Sequence, residues 1–89
     1  MAENSFTEVT ILLKEAGDRA WAVLGRENAL WASINEAEKS VFAFERLDYI
    51  ETSLENLANY WKDKLNKDDY DFIYQTLIKS KEMTEQQDL

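Results

Sequence analysis

The chain has 89 residues and a formal net charge of -8, is 45% hydrophobic, and contains no His, Cys or Pro. That acidity argues against direct binding to nucleic acid, which calls for a basic footprint. Without His and Cys there is no imidazole acid–base chemistry, no thiolate nucleophile, no disulfide and no ordinary zinc ligand set.

A chain of this length forms one small domain, and a monomer of it has little core to draw on. A single helical domain over 1–89 is expected, with residues 1–4 and 85–89 frayed. Eleven aromatic residues are too many for a disordered chain. No apolar run approaches the roughly 18 residues of a membrane span. The first residues have neither a basic nor an apolar signal segment, and with no Cys a reducing cytoplasm is the expected location.

Ser5-Phe6-Thr7-Glu8 has the form of a capping box. Phe6, Val9, Leu13, Ala16, Ala20 and Leu24 follow at spacings of three and four, the seam of an amphipathic helix. Gly17 interrupts it at a cost of about 1 kcal/mol relative to Ala. Glu15 and Arg19 stand as an i,i+4 pair, and Gly25 suits a left-handed C-terminal cap. The first helix is therefore expected over about 6–24.

Asn28 reads as the next N-cap, preferred over a later start at Ser33 because Leu30 and Trp31 are better used on a helix face. A seam then runs Leu30, Ile34, Ala37, Val41, Phe44, Leu47, Ile50, Leu54, Leu57, Trp61, Leu65. Its spacings alternate except at Phe44-Leu47-Ile50, where three follows three, a stammer that shifts the contact face. The reading is all-α, with three helices over about 6–24, 28–65 and 67–84 and a long central helix. The alternative is a four-helix bundle with a break near 47–52.

Asn66 is expected to cap the last helix, with Asp69 at its third position and Leu65 and Tyr70 as a hydrophobic staple. Tyr70, Ile73, Tyr74, Leu77 and Ile78 would form its apolar face, and Lys79 and Lys81 would suit its C-terminal dipole. Asp68, Asp69 and Asp71 lack calcium-loop spacing and read as N-terminal dipole partners, so no metal is expected. No cofactor motif is present, and an enzyme is not expected.

Between Glu27 and Leu57 seven acids face two cations, Lys39 and Arg46. Glu38, Glu45, Asp48 and Glu55 fall in register as one ridge, expected to dock on a basic protein partner, with Tyr60 as a further contact. Phe42 and Tyr49, seven apart, are expected to self-associate in a homo-oligomer. Arg19 and Arg26 form the one place to look for a bound anion. In size and acidity the chain is similar to bacteriocin immunity proteins and to phage-encoded inhibitors that mimic nucleic acid. That is a likeness of class without a shared motif, and no residue is carried over. The expected function is a non-enzymatic inhibitor or regulator of a basic partner. The alternatives are an oligomer holding a small anionic ligand such as a nucleotide between subunits, and a structural assembly subunit.

Overall fold

The computed structural model describes the backbone of residues 2–25 and 28–87 and the side chains of 7–23, 25 and 28–86. Among the described residues there are four α-helices and no strand: α1 (Ala2–Leu24), α2 (Ala29–Lys39), α3 (Ala43–Asn56) and α4 (Lys67–Gln87). A π-helical turn, Leu57–Trp61, prolongs α3. The helix count is that of the four-helix alternative, not of the three-helix reading.

Each helix packs on its neighbours in sequence, and α4 closes the ring on α1. Residues 33 and 53 meet across α2 and α3, 19 and 69 across α1 and α4, and 51 and 81 across α3 and α4. Each of these pairings is antiparallel, giving an up-down-up-down bundle of 36 × 19 × 19 Å.

The expected caps at the starts of α2 and α4 are made. Asn28 Oδ1 accepts from the Trp31 amide at 2.8 Å, and Asn28 Nδ2 donates to the Ala20 carbonyl. Asn66 Oδ1 accepts from the Asp69 amide, and Asn66 Nδ2 donates back to the Asp69 carboxylate. Each pair satisfies an amide that the helix itself leaves open. Gly25 takes the left-handed conformation, φ 70°, and its amide bonds the Trp21 carbonyl. At the outer ends the sequence underestimates the helices. Ser5 lies within α1, not at its cap, because Ala2-Glu3-Asn4 contains nothing that stops a helix. The C-terminal helix runs to Gln87 with Thr84 fully buried, so Lys79 and Lys81 fall short of its last turn.

The core joins Val9, Leu13, Ala16 and Ala20 of α1 to Leu30, Ile34 and Ala37 of α2, Ile50 of α3, Leu57, Leu65, and Ile73 and Leu77 of α4. Gly17 sits where α1 meets α2. A Cβ there would lie 3.4 Å from Ile34 and 3.7 Å from Trp31, ordinary contact distances.

The long central helix is the main correction. It breaks at Ser40-Val41-Phe42, ahead of the 47–52 region in which the four-helix alternative puts its break. The chain reverses there, so Val41 and Phe44 leave the seam and stand 71% and 62% exposed. The actual inward line of α3 is Arg46, Ile50, Ser53 and Leu57, spaced four, three, four. Half of it is polar, which hides it from hydrophobic periodicity.

Candidate interaction site at the α2–α3 corner

The corner is built from the inside by Arg46. Its side chain is almost completely buried. Nε donates to the Ala37 carbonyl and Nη2 to the Glu38 carbonyl, both at 2.9 Å, and Nη2 also reaches Thr10 Oγ1 at 3.2 Å. Those carbonyls belong to the last turn of α2, whose final acceptors have no partner within the helix. Ser40 takes the acceptor before them, donating both its amide and its hydroxyl to the Glu36 carbonyl. A cation from α3 thus caps the negative end of α2's dipole. Burial pushes the Arg46 guanidinium below its ordinary range, and the charge of Glu38 partly opposes that. Further along, Ser33 and Ser53 bring α2 and α3 together through a buried hydroxyl contact of 2.7 Å.

What the clamp holds out to solvent is apolar. Val41, Phe42 (56% exposed) and Phe44 lie together on the outside of the corner. The two Phe rings stack with centroids 5.8 Å apart and planes 24° apart. Phe42 takes the N-cap position of α3 without a capping side chain. From Phe44 onward the outer line of α3 is Asp48, Glu51 and Glu55, at steps of four, three and four, with exposed Glu45 flanking it. Among the described residues Glu51 alone of these acids has a cation near it, Lys81 at 3.6 Å. Arg46 is the one cation in α3, and it is turned inward.

The expected ridge is therefore redrawn. Glu45, Asp48 and Glu55 remain together on exposed faces of α3, and Glu51 joins them. Glu38 does not, because the break leaves it half-buried on α2, where its charge serves Arg46. Tyr60 is 66% exposed on the π-helical turn at the other end of α3. Phe42 and Tyr49 do not share a face. Phe42 precedes the helix, so the i+7 relation fails, and Tyr49 packs half-buried against the core.

Arg19 is engaged inside the fold. It donates to Asp69 at 3.1 Å and lies over the Phe72 ring, 4.0 Å from its centroid, instead of pairing with Glu15. Arg26 lies outside the described residues. Two open hollows flank α4. One of about 390 Å³ is lined by Leu12, Phe72, Gln75, Thr76 and the rim residues Asp71 and Lys79. The other, about 320 Å³, lies among Lys62, Leu65, Lys67 and Tyr70. Among the described residues no group of three or more acidic side chains is placed to hold a metal ion. No described helix is long and apolar enough to cross a membrane.

No protein-family model, no characterised protein and no solved structure matches this chain.

Proposed function

We propose that this chain is a non-enzymatic interaction protein, an inhibitor or regulator that docks on a basic protein surface through the outer face of α3. The observation that carries the reading is the separation of charge within α3. Four acids, Glu45, Asp48, Glu51 and Glu55, face outward, while the helix's sole cation is buried beneath them in the α2 clamp. Like charges three and four apart cost a helix about 0.2–0.5 kcal/mol per pair, and among the described residues only Glu51 of the four has a cation within ion-pair distance. A partner of opposite charge recovers that cost and speeds encounter.

A photo-crosslinking residue placed at Phe44 in the full chain, in cells, tests this. A basic protein captured by the parent chain and lost from an E45K/D48K variant supports the reading, provided its affinity falls as salt rises. Capture that is indifferent to both charge reversal and salt counts against it.

A further inference from the structure

The geometry points to the Val41/Phe42/Phe44 corner as the anchor of that same docking surface, and to a basic amphipathic helix as the partner element that it receives. This rests on the docking role proposed above for α3 and adds to it the hot spot and the shape of the partner.

The anchor follows from three observations. Consecutive large apolar side chains stand exposed at one corner of a small acidic fold, where scattered single exposures need no explanation but a contiguous cluster does. The two rings are already stacked, so little side-chain freedom is left to lose on binding. The backbone beneath them is fixed by Arg46 and Ser40, which tie it to the last carbonyls of α2. Aromatic side chains held rigidly at the centre of a contact are the usual hot spots, and charges around them set approach and register.

The partner's form follows from the spacing of those charges. Phe44, Asp48, Glu51 and Glu55 lie on one line of α3, eleven residue steps from end to end, about 16 Å at 1.5 Å per step. A second helix with an apolar residue followed by Lys or Arg at spacings of four, three and four presents its groups with the same rise. Same-face residues of a strand repeat every ~6.7 Å, so three steps reach about 20 Å and drift out of register. A second copy of this chain fits poorly. A two-fold contact at the corner would bring Glu45 and Asp48 of both copies together, and three side chains offer far less than the roughly 800 Å² per partner of a stable interface. The acidic border equally disfavours anionic lipid.

The test uses the full chain and a labelled synthetic helical peptide with Leu on one face and Lys at spacings of four, three and four. Controls are oligolysine of equal charge, a Leu/Glu peptide, and a Leu/Lys peptide alternating at strand period. Anisotropy and stopped flow are read across a salt titration, and amide shifts locate the site. The proposal expects the helical Leu/Lys peptide to bind at α3, with F42A/F44A weakening it about 10-fold or more through faster dissociation at unchanged salt slope. F44Q serves if the double variant loses its helical circular dichroism. An unchanged affinity of F42A/F44A alongside a loss in E45K/D48K removes the anchor and leaves the acidic docking role standing. Unchanged affinity in both variants removes both. Equal binding of the Leu/Glu or strand-period peptide overturns the partner chemistry. Sedimentation showing a dimer dissolved by F42A/F44A assigns the corner to a second copy and overturns the proposal.

Discussion

Replacing Arg46 with Met tests the clamp that makes the corner. Methionine keeps much of the aliphatic stem and removes the guanidinium. With it go the hydrogen bonds to the Ala37 carbonyl, the Glu38 carbonyl and Thr10 Oγ1. Hydrogen bonds to a charged group contribute about 1.5–3 kcal/mol each, and a buried carbonyl left open costs about 1–3 kcal/mol. Against this, removing a buried cation returns several kcal/mol of desolvation. Partners that stay behind as neutral carbonyls, and not as charges, keep the loss moderate. The balance is a destabilisation of about 2–4 kcal/mol. A domain of this size holds only about 4–13 kcal/mol in total, so R46M gives up a large share of it. At about 4–8 °C per kcal/mol the melting temperature falls by roughly 10–30 °C. Urea unfolding followed by tryptophan emission measures the change as a shift of midpoint at constant slope. Amide exchange should quicken first at Val41–Phe44, the segment the clamp fixes. An R46M protein with an unchanged midpoint and unchanged exchange at the corner would refute the role assigned to this side chain.

Three further outcomes are expected. Gly17→Ala should stabilise by up to about 1 kcal/mol, since the new methyl meets Ile34 and Trp31 at contact distance and the helix gains propensity, and a lower urea midpoint would show the α1–α2 contact to be tighter than it looks. Ser33 and Ser53 share two hydroxyl protons among the mutual contact and the carbonyls of Leu30 and Tyr49, so S33A and S53A should each cost about 1 kcal/mol and their double variant less than the sum; additive losses in the double-mutant cycle would show no coupling. The hydrogen bond that Lys67 donates to the Asp71 carboxylate raises the Lys67 pKa, so this pair's contribution is present in full below the unfolded lysine pKa and is lost as pH rises through the higher folded value. Titration of the Lys67 side chain by nitrogen-detected NMR should move down in D71N, and an identical titration would show that the pair does not form.

The local signals were legible because they are local. Asn28 and Asn66 cap helices through their own following turns, and Gly25 supplies a conformation that few other residues adopt. Periodicity located the buried faces of α1 and the first half of the central stretch, where Val9, Leu13, Ala16, Ala20, Leu30, Ile34 and Ala37 are all apolar. Beyond Ala37 it still found Ile50, Leu57, Leu65, Ile73 and Leu77, but it failed at Val41 and Phe44. The break at Ser40–Phe42 has no Gly, no Pro and no capping side chain on α3, so nothing within the segment announces it. The stammer at Phe44-Leu47-Ile50 recorded that the face changes, but not where the chain turns.

By itself, then, the sequence determined an all-helical, acidic chain without imidazole or thiol chemistry, together with the starts of α2 and α4, because those properties depend on composition and on contacts a few residues apart. The placement of the corner was decided by tertiary structure alone. The open carbonyls of α2 are satisfied by Arg46, nine residues on from Ala37, whose burial is worthwhile only once the two helices have folded back on each other. That one buried cation leaves the acids of α3 facing outward and sets Phe42 and Phe44 at the surface, where a hydrophobic pattern had placed Phe44 in the core.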